Sequence, residues 1–511
     1  MKRQSLIRGT VVLGVAGIVA KFLGLFFRWP LQMLIGDLGM GYYQTSYPIY
    51  MFFIAVASGI PVAVSKMVSE KSALGDIEGV VQVLRKAMLL MLCMGGTFSI
   101  LMLLFSNQLI ELLSWNDKSY YSLMGIAIAP IFISIMGALR GFFQGLQNMN
   151  YTAVSQVLEG IARVVVGVGL AFILLPKGIE FAAGGAALGA AAGGILGGSY
   201  LIIKYFTVKR EFNIKKVKSD SIILSNLLYI AVPISLGAAV GSIMALIDSV
   251  LVQQKLLLAG FTRTEVTILY GQLTGKAFVL INVPLTLSMA LCASIVPAIA
   301  EAHVLHNNRE VLKKVQFAIR LSSTIALPSL LGLFFMASPI LNLIFPGQAQ
   351  GYEILKFLSI TIPFIILAQI TTAILQGVGK YMAPVINLSI GCIVKVIITV
   401  ILVPMPNINV YGAVIGSIAG YVVVSILNVL LLKRTLKAKI DYYDAVVKPG
   451  YASFIMIVAV ALLYKYVYNY TMSNAIACAL SILLGILIYG VFIFIFGIFN
   501  FGFIKRKILK K

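Results

Sequence analysis

The stretch at residues 144–164, QGLQNMNYTAVSQVLEGIARV, decides the fold, because residues 376–396, QGVGKYMAPVINLSIGCIVKV, match it without a gap at an offset of 232. Two shorter matches occur at similar offsets. They pair GAALGAAAG (185–193) with GAVIGSIAG (412–420) at 227, and IPVA (60–63) with VPAI (296–299) at 236. Self-similarity at one period in a chain of 511 residues indicates that one structural unit occurs twice.

The composition shows what kind of unit is repeated. Hydrophobic residues make up 60% of the chain, charged residues only 11%, and the mean hydropathy is +1.00. A soluble domain has about a quarter charged residues. Apolar runs of about 20 residues recur along the chain, and each can cross about 30 Å of hydrocarbon. Backbone groups in lipid must bond within their own segment, so we predict an all-α integral membrane protein.

The runs predict about 14 transmembrane helices, as two parallel six-helix repeats plus two C-terminal helices. The predicted spans are 9–33, 42–65, 87–107, 121–145, 151–175, 183–206, 224–253, 269–299, 318–337, 354–376, 382–404, 411–432, 450–468 and 474–498.

The basic residues predict the orientation. Of the 40 Lys and Arg residues, six lie well inside the predicted spans, and four more, within four residues of a span end, are counted with the adjacent loop. With the N-terminus inside, the other 34 divide 28 against six in favour of the cytoplasmic loops and termini. Short cytoplasmic loops are enriched in Lys and Arg, so both termini should be cytoplasmic. The net charge of +23 therefore faces anionic lipid headgroups, and we expect membrane lipids and no nucleic acid as partners.

The repeat also predicts the domain organisation. Spans one to six correspond in order to spans seven to twelve, and because six is even, both copies enter the membrane in the same orientation. We predict an N-terminal six-helix lobe at 1–206, a basic cytoplasmic linker at 207–222, a C-terminal six-helix lobe at 223–433, and two extra helices with a basic tail at 434–511. Parallel repeats with a site between them are typical of alternating-access transporters.

Charged side chains inside apolar spans are the candidate site residues, because they are costly there and usually face a cavity or a partner. Lys21 and Arg28 lie two turns apart on one face of span one, and Lys276 lies in span eight. Surplus basic groups suit an anionic substrate such as a phosphate. We predict Lys21, Arg28, Lys276 and Arg140 as substrate-binding residues. Arg140 could equally extend to the interface, because it lies near the cytoplasmic end of span four.

The acidic residues within spans have other expected roles. Glu159 and Arg163 are four residues apart in span five, so we expect them to pair. Asp248, in span seven, either pairs with a nearby lysine or binds a coupling cation together with the amide oxygen of Asn387 in span eleven. We expect no catalytic residue, no metal cofactor and no ATP-binding motif.

Three segments carry a resemblance to a known family. They are GIPVAVSKMVSEKSALGD (59–76), ALRGFFQGLQNMNYTAVSQVLEG (138–160) and YGQLTGKAFVLINVPLTLSMALCASIVPAIAEA (270–302). The chain resembles the polysaccharide-exporter group of the multidrug/oligosaccharidyl-lipid/polysaccharide exporter superfamily. It is most similar to the stage V sporulation protein B type, which is related to the lipid II flippases.

The resemblance implies two six-helix lobes around a central cavity, with spans thirteen and fourteen forming a groove for a lipid tail. It implies an undecaprenyl-pyrophosphate-linked sugar as substrate and outward flipping across the bacterial cytoplasmic membrane. In the lipid II flippases, basic residues of spans one and eight hold the pyrophosphate. Lys21 and Arg28 occupy similar places in span one, with a spacing one residue longer, and Lys276 lies about one turn earlier in span eight than the related arginine.

Two departures from the lipid II flippases stand out. Those relatives carry arginine in span two, whereas span two here has no basic residue. Asp248 and Asn387 fall near a sodium site of these relatives, but Gly391 stands where that site has a carboxylate.

We therefore predict a flippase for lipid II or a related peptidoglycan or polysaccharide precursor, with a role in spore cortex synthesis as one option. Membrane potential or a Na⁺ or H⁺ gradient would drive it, and we expect a monomer. One alternative is a cation-coupled multidrug antiporter, which would favour buried acids over bases. The other is a membrane-embedded glycosyltransferase, which would need catalytic carboxylates on larger outside loops.

Overall fold

The computed structural model describes residues 6–212, 222–436, 441 and 443–498, and in these ranges the regular structure is entirely helical. The all-α prediction is confirmed. Most of the predicted linker, at 213–221, and most of the basic C-terminal tail, at 499–511, lie outside the described residues.

Twenty α-helices follow one another along the described chain. They are α1 (Leu6–Ala57), α2 (Gly59–Ala73), α3 (Ile77–Leu104), α4 (Ser106–Leu112), α5 (Tyr120–Ala127), α6 (Ala129–Gly145), α7 (Met149–Leu174), α8 (Ile179–Phe212), α9 (Ile222–Ile247), α10 (Gln253–Leu258), α11 (Arg263–Gly271), α12 (Phe278–Val304), α13 (Asn308–Phe335), α14 (Ala337–Ile344), α15 (Tyr352–Leu358), α16 (Ile362–Gly377), α17 (Met382–Leu402), α18 (Tyr411–Leu436), α19 (Lys448–Thr471) and α20 (Asn474–Ile495).

The number of membrane spans agrees with the prediction. Thirteen helical runs within the described residues are long and apolar enough to cross a membrane, and the first is the 62-residue run Val12–Ala73. Within it Gly36 has φ 63° and ψ −168°, a conformation that glycine adopts without strain and that interrupts the helix. The first run is thus two spans, and the total is 14.

Three of the membrane-crossing runs in the described residues contain a wider, π-helical turn. One, Tyr443–Val447, precedes α19, and the other two lie in spans seven and eight. The α9 helix joins α10 through a π-helical turn at Asp248–Val252, and α11 joins α12 through another at Gln272–Ala277. Such turns are rare and occur frequently at functional sites. Asp248 and Lys276, both singled out from the sequence, lie in these two turns.

By their internal contacts the helices form two compact units, Met1–Gly271 and Gln272–Lys511. The lobe boundaries expected from the repeat, at 206 and 223, remain a prediction.

Glycine contacts in the two units match the internal repeat. In the first, a Cβ on Gly193 of α8 would lie 2.9 Å from the carbonyl oxygen of Glu159 on α7. In the second, a Cβ on Gly420 of α18 would lie 2.8 Å from the carbonyl oxygen of Gly391 on α17. Glu159 matches Gly391, and Gly193 matches Gly420, in the sequence alignment. Small residues at equivalent positions therefore let the paired helices approach closely in both units.

One of the three sequence offsets is wrong. A Cβ on Gly145 of α6 would lie 2.7 Å from the Ser65 carbonyl oxygen of α2, and one on Gly377 of α16 would lie 3.2 Å from the Val296 carbonyl oxygen of α12. Because Gly145 and Gly377 are equivalent, these contacts put α2 and α12 at an offset of 231, not 236. Four small apolar residues were too short a match to fix the register.

Helices α3 and α13 follow the same offset. Both contain 28 residues, and each begins after a side chain that caps it: Asp76 accepts from Gly79 N, and Asn307 accepts from Glu310 N. The hydrogen bond that Lys71 Nζ donates to Asp76, together with the one from the Gly79 N–H, lowers the pKa of the Asp76 carboxyl. Asx side chains at this position satisfy backbone donors that the helix leaves unpaired.

The two added helices dock on α13 through a proline. Pro328 has no N–H, so the carbonyl oxygen of Thr324, four residues earlier, lacks its helical donor. The hydroxyl of Tyr489 on α20 donates to that oxygen at 2.8 Å in a buried position. Asn474, at the start of α20, donates to the carbonyl oxygen of Pro339 at 3.1 Å. Both contacts tie the C-terminal hairpin to the second unit.

Candidate functional site

A cluster of charged side chains joins α6 and α7 inside the first unit. Glu159 accepts hydrogen bonds from two arginines, Arg140 at 3.0 Å and Arg163 at 3.1 Å. Arg140 also donates to Ser155 Oγ from two nitrogens, at 3.0 and 3.1 Å. The predicted pair of Glu159 and Arg163 is therefore present, but Glu159 also binds Arg140. The side chains of all three are mostly buried, and the cluster carries one surplus positive charge.

Beside this cluster, span two carries a ladder of tyrosines in place of a basic residue. The rings of Tyr43, Tyr47 and Tyr50 follow one another at centroid distances of 5.6 and 5.8 Å. Arg163 donates to the Tyr50 hydroxyl at 3.3 Å, and the guanidinium carbon of Arg28 lies 6.0 Å from the centre of the Tyr47 ring. Arginines from spans one and five thus bring positive charge to a span that has none.

The predicted substrate residues of span one differ in exposure. Lys21 is exposed on α1, while Arg28, two turns later, is partly buried against the tyrosine ladder. The guanidinium of Arg28 is therefore placed beside the tyrosine ladder.

The π-helical turn of span seven is fixed by residues that the sequence analysis did not select. Trp115, fully buried, donates from Nε1 to the Ser249 carbonyl oxygen at 2.9 Å, and Gln253 donates to the same oxygen at 3.0 Å. Gln253 also donates to Thr45 Oγ1 at 3.1 Å. Asp248, only 6% exposed, directly precedes Ser249, whose carbonyl oxygen accepts these two hydrogen bonds.

In the second unit, Lys276 is fully buried. Its ammonium donates to the backbone carbonyl oxygens of Gln348 at 2.7 Å and Gln350 at 3.1 Å. Both carbonyls belong to the loop at 345–351, between α14 and α15. The predicted substrate residue of span eight therefore lies under a loop and is held by backbone oxygens.

The other predicted cation ligand belongs to an amide network. Asn387 Nδ2 donates to Asn428 Oδ1 at 2.9 Å, and Asn428 Nδ2 donates to Thr372 Oγ1 at 3.1 Å. A Cβ at Gly391 would overlap Val424 and lie 2.7 Å from the carbonyl oxygen of Gly420. The crossing of α17 and α18 thus leaves no room for a carboxylate at 391, and the second unit does not fit a sodium site that needs one there.

An apolar groove of about 510 Å³ lies in the second unit between the repeat helices and the added hairpin. Its walls include Val283 of α12, Ser329 and Gly332 of α13, and Val460 and Ile486 of α19 and α20. At an offset of 231 these positions on α13 match Phe98 and Leu101, which line a smaller pocket of about 390 Å³ in the first unit. Small residues on α13 give the second groove its larger volume.

Sequence reasoning found the charged candidates but missed several neutral partners. Asn428, Trp115 and the tyrosine ladder hold or flank the selected residues. Neutral polar and aromatic side chains are common in such spans, so residue type alone does not show which of them contact the charged residues. The match of Ser155 and Asn387 in the repeat alignment was the one available clue that polar networks recur there.

Comparison with known proteins identifies the family. The profile of the polysaccharide biosynthesis protein family matches residues 6–303, which is more than half of the chain. The chain belongs to this family. The predicted resemblance is thereby confirmed.

The chain is also similar to two proteins of Bacillus subtilis (strain 168). It is 29% identical to stage V sporulation protein B over 449 residues, 86% of each chain. It is 26% identical to the lipid II flippase MurJ over 457 residues, covering 84% of this chain and 83% of the relative. The second of these relatives is, by its name, a flippase for lipid II, which is a transport protein.

Two solved structures show the fold. Lipid II flippase MurJ in an inward closed conformation superposes with a TM-score of 0.71 at 17% identity, covering 98% of this chain and all of that one. An inward-facing MATE family transporter of the MOP superfamily gives 0.69 at 18% identity, covering 82% and 94%. The predicted MATE- and MurJ-like architecture of a multi-pass membrane protein is confirmed.

Proposed function

We propose that this protein flips an undecaprenyl-pyrophosphate-linked sugar, lipid II or a related peptidoglycan or polysaccharide precursor, outward across the bacterial cytoplasmic membrane by alternating access. The protein would act as a monomer with both termini in the cytoplasm. Membrane potential or a Na⁺ or H⁺ gradient would drive it, with Asp248 and Asn387 as the residues to test for cation coupling.

The sign of the charges within the spans carries the proposal. Among the described residues that are buried and charged, Lys276 and Lys395 are basic and only Asp248 is acidic. In the first unit Arg140 and Arg163 share a single carboxylate, that of Glu159, and Arg28 lies beside the Tyr47 ring. Spans with excess positive charge favour an anionic diphosphate as substrate and disfavour a cationic drug.

The apolar groove supports a substrate with a long hydrocarbon chain. The groove of the second unit is lined almost wholly by aliphatic side chains and is completed by α19 and α20. A polyprenyl chain can remain in such a groove while the polar head crosses, because the groove wall is as apolar as the lipid tails that it replaces. The added hairpin would then bind the polyprenyl tail of the substrate, and the six-helix repeats would bind its polar head.

The choice of precursor rests on the relatives. One similar protein is named stage V sporulation protein B and the other lipid II flippase MurJ, names that refer to sporulation and to lipid II. We propose peptidoglycan precursor as the first substrate to test and spore cortex as its destination. The absence of a basic residue in span two, where the tyrosine ladder stands, makes a different sugar head the next choice.

The test is a flipping assay with the purified protein in proteoliposomes containing lipid II or another defined lipid-linked sugar, with and without Na⁺. The wild-type protein should bring the sugar to the opposite leaflet. Arg28→Ala should reduce the initial rate at least tenfold, because the guanidinium beside Tyr47 would no longer bind the diphosphate. Lys465→Ala, at an exposed lysine of α19, is the matched control and should keep the wild-type rate.

Three results would contradict the proposal or its parts. Full activity of Arg28→Ala would remove Arg28 from the site. Inactivity of the wild-type protein with every lipid-linked sugar, combined with drug sensitivity of a deletion strain, would favour a multidrug antiporter. Release of free carrier diphosphate by the purified protein would indicate a glycosyltransferase.

A further inference from the structure

The loop at 345–351, FPGQAQG, is seated on the π-helical turn that carries Lys276. Its backbone oxygens at Gln348 and Gln350 accept from the lysine ammonium at 2.7 and 3.1 Å. Gly351, at φ 88°, packs on the same turn, since a Cβ there would lie 2.9 Å from Cβ of Gln272. The loop thus contacts the turn both through the lysine and one turn before it.

Full burial of an ammonium needs compensation, because an ion removed from water loses several kcal/mol of hydration. Two carbonyl dipoles supply part of that compensation. They are neutral, however, whereas an anionic oxygen adds the attraction between two full charges to its hydrogen bond with the ammonium. The loop therefore holds Lys276 by bonds that an anionic oxygen can replace with stronger ones.

We propose that the loop at 345–351 is a lid that occupies the diphosphate position at Lys276 and is displaced when the diphosphate of the lipid-linked substrate binds. The inference rests on the proposed function, since it assigns a competitor to the same substrate group. The carbonyl oxygens of Gln348 and Gln350 stand where two diphosphate oxygens would lie. Binding of the head and opening of the loop are then one event.

If the lid competes with the substrate for Lys276, it lowers the affinity of the protein for the diphosphate. If the lid is closed most of the time, the apparent dissociation constant exceeds the intrinsic one by the inverse of the open fraction. A variant that loosens the lid without touching Lys276 should therefore bind the substrate more tightly. Gly351→Ala is such a variant, because alanine is strained at φ 88° and its Cβ would press on Gln272.

The experiment measures binding of undecaprenyl diphosphate to the full chain in phosphatidylcholine nanodiscs. Gly351→Ala should bind about fivefold more tightly than the wild-type protein, by relief of competition. Gly379→Ala, which is also at positive φ (81°) but has open space around it in the turn after α16, is the matched control and should not change the affinity. Lys276→Met should bind at least tenfold more weakly. Inorganic pyrophosphate and undecaprenol serve as further arms, to separate the contributions of head and tail.

The lid itself is followed by amide hydrogen exchange of the peptide containing 345–351. Undecaprenyl diphosphate should accelerate exchange in the wild-type protein and leave it unchanged in Lys276→Gln, whose amide can still donate to the loop carbonyls but carries no charge. Lys276→Met should exchange fast without ligand. Lys465→Gln should behave as the wild-type protein.

The outcomes separate the two proposals. If the wild-type protein binds no polyprenyl diphosphate, the proposed function fails. If it binds with unchanged loop exchange, or if Gly351→Ala binds as the wild-type protein does or more weakly, the lid is refuted while the flippase stands. Tight binding by Lys276→Met would show that the lysine has a purely structural role.

Discussion

Glu159 has two basic partners on different helices, and this explains how three charges can lie inside an apolar bundle. A single buried pair only partly recovers the hydration lost by its members. Here the carboxylate accepts from Arg163 on its own helix and from Arg140 on α6, while Ser155 and Tyr50 take further guanidinium donors. The surplus charge is spread over a hydrogen-bonded network and also links α6 to α7.

This network predicts the effect of Glu159→Gln. The amide keeps the shape but removes the charge shared by two arginines, so the variant should unfold at lower temperature and lose about 1–3 kcal/mol of stability. Scanning fluorimetry of the purified protein in detergent measures the unfolding midpoint. Glu70→Gln is the control, because its pair with Lys66 spans 3.9 Å between side chains about 60% exposed and should contribute little. An equal midpoint for Glu159→Gln and wild type would show that the network does not stabilise the bundle.

The same residues show how far the sequence alone predicts a site. Lys21, Arg28, Lys276 and Asp248 were selected because charge is rare in apolar runs. Their surroundings were not accessible to that argument: the carbonyls that hold Lys276 come from residues 72 and 74 positions away in the chain. A π-helical turn also leaves no periodic pattern in hydrophobicity. The sequence therefore predicted which positions carry an unexpected charge, whereas the contacts of these side chains depend on the packing of the helices.

Single helices were predicted better than their ends and breaks. Length and hydropathy require a helix wherever about 20 apolar residues occur, so all 14 spans were found. The break at Gly36 and the continuation of span seven from Ile222 to Leu258 depend on local backbone geometry. Register between helices needed the glycine contacts, which corrected the offset of α2 and α12 to 231.

The hydrogen bond from Tyr489 to the Thr324 carbonyl oxygen should stabilise the packing of α20 on α13. Tyr489→Phe should leave the Thr324 carbonyl oxygen buried without a donor and cost about 1–3 kcal/mol. Faster amide exchange in α20 is the expected observation. Pro328→Ala restores the missing N–H, so the double variant should recover most of the loss, as a double-mutant cycle measures. Tyr470→Phe, at a ring 86% exposed, is the control. Unchanged exchange in Tyr489→Phe would exclude this hydrogen bond as the anchor of the hairpin.

At the scale of the whole molecule, duplication and asymmetry belong together. The repeat gives both units the same helix order and the same close glycine contacts, while the charges differ. The Arg140, Glu159 and Arg163 positions of the first unit correspond to Thr372, Gly391 and Lys395 in the second. One copy thus has an ion network where the other has amides and a close helix crossing. Divergence of this kind gives two similar units different chemistry at equivalent positions.

The orientation of the protein in the membrane follows from the ratio of 28 to six basic residues on the two sides. With both termini cytoplasmic, the turn between α16 and α17 faces the cytoplasm and the turn between α19 and α20 faces outward. Single cysteines at Lys380 and Met472, both exposed, test this in a chain whose four native cysteines are replaced. A membrane-impermeant maleimide should label Met472→Cys in intact cells and Lys380→Cys only after permeabilisation, whereas the cysteine-free chain stays unlabelled. The reverse pattern would invert the protein in the membrane and make the proposed outward flipping an inward one.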